Sequence, residues 1–134
     1  MVVQYTAEHA CAAGARPAIE CWPNQFPGRE YTVTVDAPEF TCVCPKTGLP
    51  DFARVQVEYV PAQWCLELKS FKLYLLAYRE MGIFHENVVN LIRDDIIAAA
   101  KPCRLRVTGV FNVRGGLRTT VRAAYPDQGG HASG

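Results

Sequence analysis

Strong charge of either sign is missing from this sequence. Lysine and arginine total 14 against 13 for aspartate and glutamate, a formal net charge of +1. A nucleic-acid binder needs a basic face to neutralise phosphates, so no direct nucleic-acid partner is expected. Long apolar runs are missing as well. No stretch approaches the roughly 18 residues that span a bilayer. Met1 to Glu20 has no basic start followed by an apolar block, and Glu8, His9, Gly14 and Pro17 interrupt it. The sequence therefore predicts a cytoplasmic protein with no membrane partner. Histidine is scarce, at His9, His85 and His131 only, too few for a histidine-rich metal centre. No Gly-x-Gly-x-x-Gly follows a predicted strand. A dinucleotide would then have to be held on another kind of surface, by cationic side chains on its phosphates.

What is present fits one globular domain over residues 1–134, with an N-terminal arm at 1–22 and a flexible tail at 126–134. Six cysteines, Cys11, Cys21, Cys42, Cys44, Cys65 and Cys103, are many for this length. A reducing compartment argues against a disulfide framework. Most are expected to be small buried hydrophobes.

Tyr31, Val33 and Val35 alternate with threonines, and Val55, Val57 and Tyr59 alternate with polar residues. Both runs predict half-buried strands. Asp36 to Phe52 between them carries three prolines and one glycine and reads as a long loop, of the kind that often serves function. Leu68 to Met81 lacks proline and glycine and predicts a helix ending near Gly82. Phe84 to Lys101 places Val88, Leu91, Ile92, Ile96 and Ala99 on one helical face, and Pro102 stops it. Gly115-Gly116 between two alternating runs predicts a hairpin. The order is strand, strand, helix, helix, strand, strand: an α+β domain with two helices on one face of an antiparallel sheet. The first helix is apolar almost all round, from Leu68 to Tyr78, which implies burial in an oligomer.

Four stretches carry potential chemistry: Cys44-Pro45-Lys46-Thr47-Gly48 leading to Asp51, then Glu67 to Tyr74, then Phe84-His85-Glu86, and Arg114-Gly115-Gly116. Cys44 beside the ammonium of Lys46 could be a lowered-pKa nucleophile, or simply a buried thiol. Asp51 could hand on a proton or stabilise a turn. Glu86 could bind a ligand or only favour a helix start. Glu67, Lys69 and Lys72 could be a solvated helix face. Cys42, Cys44, Cys65 and His85 could in principle hold zinc, but their spacing matches no common zinc module.

Together these stretches resemble the single-module NADPH-dependent 7-cyano-7-deazaguanine reductases. Glu67-Leu68-Lys69-Ser70-Phe71-Lys72-Leu73-Tyr74 matches that family's signature, and Cys44 to Phe52, Phe84-His85-Glu86 and Phe111 to Gly116 follow in register. The resemblance runs from about Pro23 to about Val121. It implies the tunnelling fold (ββααββ), assembling into oligomeric rings, and a homo-oligomer that is a decamer of two stacked pentamers. It implies reduction of the nitrile of 7-cyano-7-deazaguanine to 7-aminomethyl-7-deazaguanine in queuosine biosynthesis for tRNA. Cys44 would form a covalent thioimide and Asp51 would donate the proton. Two NADPH would be used per turnover, and no metal is needed for the chemistry. Glu86, His85 and the stretch Leu66, Glu67 and Leu68 would bind the deazapurine. Lys69, Lys72 and Arg114 would hold the NADPH phosphates. The signature allows serine or leucine at Leu68, so only a backbone contact is available there. A related archaeal amidinotransferase and a non-catalytic purine-binding ring are the rival readings; an unreactive Cys44 would favour the latter.

Overall fold

The computed structural model describes residues 16–127. In chain order they form β1 (Cys21–Pro23), β2 (Val33–Val43), β3 (Pro50–Val60), β4 (Trp64–Leu66) and α1 (Leu68–Leu76). A 3-10 turn (Ala77–Glu80), α2 (His85–Ala100), β5 (Arg104–Phe111) and β6 (Thr120–Tyr125) follow. A four-stranded antiparallel sheet has the order β2-β3-β5-β6, and β1 pairs separately with β4. The domain is α+β, and its principal elements follow the predicted order. The β1–β4 pair was not foreseen. Three-residue strands are too short to show a period, and the sequence placed Cys21 and Trp22 in an arm. Most of that arm, the tail and Cys11 lie outside the described residues.

The sheet buries one face. Along β3, Ala53, Val55, Val57 and Tyr59 point inward and the residues between them do not, as the two-residue period of a strand requires. Val107 pairs with Val57 and Phe111 with Ala53 across the β3–β5 ladder, adding to the same layer. Helix α2 covers it with Val88, Ile92, Ile96 and Ala100, a four-residue repeat, joined by Val89. Each such buried aliphatic side chain contributes about 1.5–3 kcal/mol. The helix lies close to β5 at Gly109, where an added Cβ would come within 2.7 Å of Val89 Cγ2. Helix α2 ends with Lys101 in the left-handed region at φ 47°, just before Pro102. The α1 segment spans its predicted range but tightens to 3-10 geometry after Leu76. On it, Phe71 and Tyr74 are buried, while Leu68, Leu73 and Leu76 stay exposed.

The expected loop from Asp36 to Phe52 is mostly strand. β2 continues to Val43 and β3 begins at Pro50, so the true turn is only 44–49. Two of the three prolines misled the reading, because each of the two sits where a strand tolerates it, while Pro45 lies in the turn itself. Pro38 falls at the register shift between Ala37 and Phe40 on edge strand β2, and Pro50 is the first residue of β3. Among the described cysteines Cys42 and Cys65 are buried, Cys21 and Cys44 half-buried, and Cys103 exposed; all five are free thiols. With two of the five described cysteines buried, the expectation of mostly buried cysteines is not met; the clearest departure is Cys103, in the connection from α2 to β5.

Candidate active site

The turn after β2 is built around Cys44. The Cys44 N–H donates to the Leu49 carbonyl at 2.9 Å, and the Gly48 N–H donates to the Cys44 carbonyl at 2.8 Å. Gly48 takes φ 71°, a conformation glycine adopts without strain. The Leu49 N–H donates to Thr47 Oγ1 at 3.2 Å. The turn is also tied sideways to the segment before α2. The Val43 N–H donates to the Met81 carbonyl and the Ile83 N–H to the Val43 carbonyl, each at 2.9 Å. Gly82 rests against Pro45, where an added Cβ would stand 3.6 Å from Pro45 Cα.

This turn holds the Cys44 thiol pKa below its ordinary value. The main cause is the Thr47 hydroxyl, which donates to the sulfur. The backbone N–H groups of Thr47 and Lys46 add to it, as does the charge of Arg114, while partial burial works against them. Sequence reasoning credited the Lys46 ammonium. The structure corrects this: Lys46 acts through its backbone N–H, and the side chain that matters is Thr47. The signal available in the sequence was a threonine three residues beyond the cysteine and just before a glycine, a common turn pattern. Cys42, by contrast, is fully buried on the core side of β2, and burial raises its pKa to about 12.

Asp51, at the start of β3, is 3% exposed. It is held from two sides. His85 Nε2 lies 3.1 Å from Asp51 Oδ2, and Arg114 Nη1 donates to Asp51 Oδ1. The same Arg114 nitrogen reaches the Pro50 carbonyl at 3.4 Å. His85 opens α2, and its ring stacks on Phe111 at 3.7 Å and 6°. Burial lowers the His85 pKa, against a smaller upward pull from Glu86. The imidazole is therefore biased toward its neutral form, and its Nε2 shares a hydrogen bond with Asp51 whose donor is set by the tautomer. Glu86, next along the first turn of α2, is exposed. Arg114 is carried on a two-residue turn. The Arg114 N–H donates to the Leu117 carbonyl and the Leu117 N–H to the Arg114 carbonyl, both at 2.9 Å. Gly115 at φ 57° and Gly116 at φ 81° close it, as the predicted Gly-Gly hairpin requires.

One chain thus brings Cys44, Asp51, His85 and Arg114 together. The remaining predicted residues gather at the start of α1. Glu67 is the N-cap of that helix: its carboxylate accepts the N–H groups of Lys69 at 2.9 Å and Ser70 at 2.8 Å. Those two bonds hold its pKa below the usual carboxylate value. Leu66 is buried; its N–H donates to the Tyr59 oxygen at 2.9 Å and its carbonyl accepts from Trp22 Nε1 at 3.3 Å. Leu68, Lys69 and Lys72 are exposed. The ion pairs among the described residues use neither lysine. Arg114, grouped with them from sequence, instead stands on Asp51 in this chain. No hydrogen bond or ion pair joins the two groups among the described residues.

The first group has the parts for nucleophilic addition with proton transfer: a thiol biased toward thiolate, a buried carboxylate and an imidazole biased toward its neutral form. Among the described residues no three histidine, cysteine, aspartate or glutamate side chains converge as a metal set.

The chain is similar over most of its length to proteins of known name. The family model "QueF-like protein" matches residues 50–129. The NADPH-dependent 7-cyano-7-deazaguanine reductase of Elusimicrobium minutum (strain Pei191) is 54% identical over 123 residues, covering 90% of this chain and 92% of that protein. The enzyme of the same name from Nitrosococcus oceani is 56% identical over 111 residues, covering 83% of this chain and 86% of that one. Among solved structures, an archaeosine synthase QueF-Like in the apo form superposes with a TM-score of 0.65 at 28% identity, covering 69% of this chain and 91% of that chain.

Proposed function

The chain belongs to the family of NADPH-dependent 7-cyano-7-deazaguanine reductases, and from that premise we propose how its residues carry the reaction. The activity is reduction of the nitrile of 7-cyano-7-deazaguanine in queuosine biosynthesis, with NADPH as reductant. The relation to the archaeosine synthase, at 28% identity, is more distant than that to the reductases at 54% and 56%, so reduction is favoured over nitrogen transfer.

The observation that supports the mechanism best is the Cys44 turn beside the Asp51–His85 pair. A nitrile carbon is electrophilic but sluggish, and a thiolate is a strong nucleophile. Addition of Cys44 sulfur forms one S–C bond, opens one π bond of the nitrile and leaves nitrogen in need of one proton. Asp51 supplies it, oriented by His85, and the product is a thioimide held on Cys44. Glu86, exposed on the first turn of α2, accepts hydrogen bonds from the ring N–H and exocyclic amine of the base. Leu66, Glu67 and Leu68 complete the substrate wall. In one chain no hydrogen bond or ion pair among the described residues joins them to Cys44, which suits a site shared between neighbouring subunits of a ring. That ring is the tunnelling-fold assembly, a decamer of two stacked pentamers.

The residues present fit the cofactor. Lys69 and Lys72 stand three apart on the exposed face of α1 and are outside every ion pair just described, so both are available to phosphates. Arg114 adds a third cation. NADPH supplies hydride when bound. The chain's own part is to place those cations, shield the reacting carbon and return Cys44 to its thiol form. Nitrile to primary amine is a four-electron reduction, so two NADPH are used for each amine. Parallel measurement of NADPH loss and amine formation tests this. Two NADPH per amine are expected, and NADPH loss without amine, or amine without NADPH loss, would contradict it.

A further inference from the structure

Lys69 and Lys72 open onto different cavities. Lys69 lines one shared with Glu67 and Glu20, beside the substrate wall. Lys72 lines a groove between α1 and edge strand β2. The groove holds about 390 Å³, within the roughly 300–1,000 Å³ of small-molecule clefts. Phe71 and Leu75 of α1 and Val35 and Phe40 of β2 give it an apolar floor. It runs from Leu68, at the start of α1, to Arg79 in the 3-10 turn. That turn is fixed to β2 by Tyr78, which is fully buried and packs on Phe40 with ring centroids 5.6 Å apart. Arg79 is exposed, and the ion pairs among the described residues do not use it. Two carboxylates also line the groove. Asp36 is bound by Arg54 at 2.8 and 2.7 Å, and Glu39 lies in the β2 bulge and pairs with neither cation. With Asp36 neutralised, Lys72 and Arg79 outweigh the single charge of Glu39.

We infer that Arg79 is a specificity residue for the dinucleotide: the groove between α1 and β2 takes the adenosine end of NADPH, and Arg79 binds its 2′-phosphate. The inference rests on the reading above that Lys69 and Lys72 hold the cofactor's phosphates. The reacting carbon lies beside the wall of Leu66, Glu67 and Leu68, at the start of α1, so the nicotinamide end belongs there. The diphosphate then spans Lys69 and Lys72, and the adenosine continues along the helix over the apolar floor. Arg79 stands about two turns beyond Lys72, roughly 10 Å along the axis, which suits a separate phosphate. The 2′-phosphate is the one group that distinguishes NADPH from NADH. A guanidinium binds such a monoester through two parallel N–H groups, a geometry that an ammonium cannot reproduce.

The test is titration calorimetry of the full chain with NADP+, NAD+ and adenosine 2′,5′-bisphosphate. The wild type should bind NADP+ more tightly than NAD+. In Arg79→Gln the affinity for NADP+ should fall about tenfold or more, the worth of a charge-assisted contact, and that for adenosine 2′,5′-bisphosphate should fall with it. The affinity for NAD+ should stay nearly as in the wild type, which also shows that the variant is folded. Arg79→Lys should keep part of the preference. Equal weakening of NADP+ and NAD+ in Arg79→Gln would overturn the inference. So would no change in either, the result expected if a neighbouring chain fills the groove. Lys69→Gln and Lys72→Gln should weaken both dinucleotides. If neither does, the phosphate reading fails, and the assignment of Arg79 is removed with it.

Discussion

At the scale of single residues, reactivity follows from hydrogen bonds inside one turn. Cys44 and Cys42 stand two apart, yet their thiols are shifted in opposite directions. Cys42 faces the core and is pushed up to about 12 by burial, whereas Cys44 is pulled down by the Thr47 hydroxyl and two backbone N–H groups. A lowered thiol pKa means that thiolate persists as pH falls, so the alkylation rate of Cys44 by iodoacetamide should fall off at a lower pH than that of an ordinary thiol. Thr47→Val removes the main donor. Alkylation of Cys44 near neutral pH should then slow by about threefold to tenfold, the worth of one such hydrogen bond. Thr47→Ser should retain the wild-type rate. An unchanged rate in the valine variant would assign the shift to the backbone alone. Cys44, Asp51 and Glu86 could be proposed from the sequence because motif residues keep their spacing. The role of Thr47 and the Arg114–Asp51 pair were not. Both depend on contacts across the turn or across the sheet, the latter joining residues 63 apart.

At the scale of elements, the chain's periodicities were a sound guide where the elements were long. The alternation of β3 appears as read and Gly115-Gly116 turns the last hairpin, while the buried face of α2 is turned slightly from the one read: Val88, Ile92 and Ile96 are buried, Val89 and Ala100 join them, and Leu91 and Ala99 are only half-buried. Reading failed where prolines were taken as breaks, since Pro38 and Pro50 occupy a bulge and a strand start. It failed again at β1 and β4, which are too short to show a pattern. The contact between α2 and β5 offers a sharp check. Gly109→Ala would bring a methyl to 2.7 Å from Val89 Cγ2 and 3.1 Å from Phe111 Cε1, in a layer with little room to yield. It should destabilise the fold by about 1–3 kcal/mol, seen as a lower midpoint in urea. Adding Val89→Ala should recover part of the loss. Equal midpoints for Gly109→Ala and the wild type would mean that α2 does not pack this closely. Glu67 shows how an element can claim a site residue: its carboxylate is already bound to the first turn of α1, so its duty to substrate has to be compatible with capping.

For the whole molecule, the unshared features are the exposed leucines Leu68, Leu73 and Leu76, and the open edges of strands β2 and β6. Exposed apolar side chains and unpaired edges favour association. Native mass spectrometry should give ten times the chain mass of 14.9 kDa, and a chain that stays monomeric at micromolar concentration would contradict a site shared between subunits. Whether Glu67, Lys69 and Lys72 face Cys44 and Asp51 of the same chain or of a neighbour could not be read from sequence, because motif order says nothing about which chain supplies each wall. The account as a whole turns on one bond, between Cys44 sulfur and the nitrile carbon. It is tested most directly by the intact mass of the protein mixed with 7-cyano-7-deazaguanine without NADPH. An adduct of the full ligand mass, absent in Cys44→Ala and cleared by NADPH, is the predicted result. A folded, reduced protein that shows no adduct, or one that persists in Cys44→Ala, would contradict it.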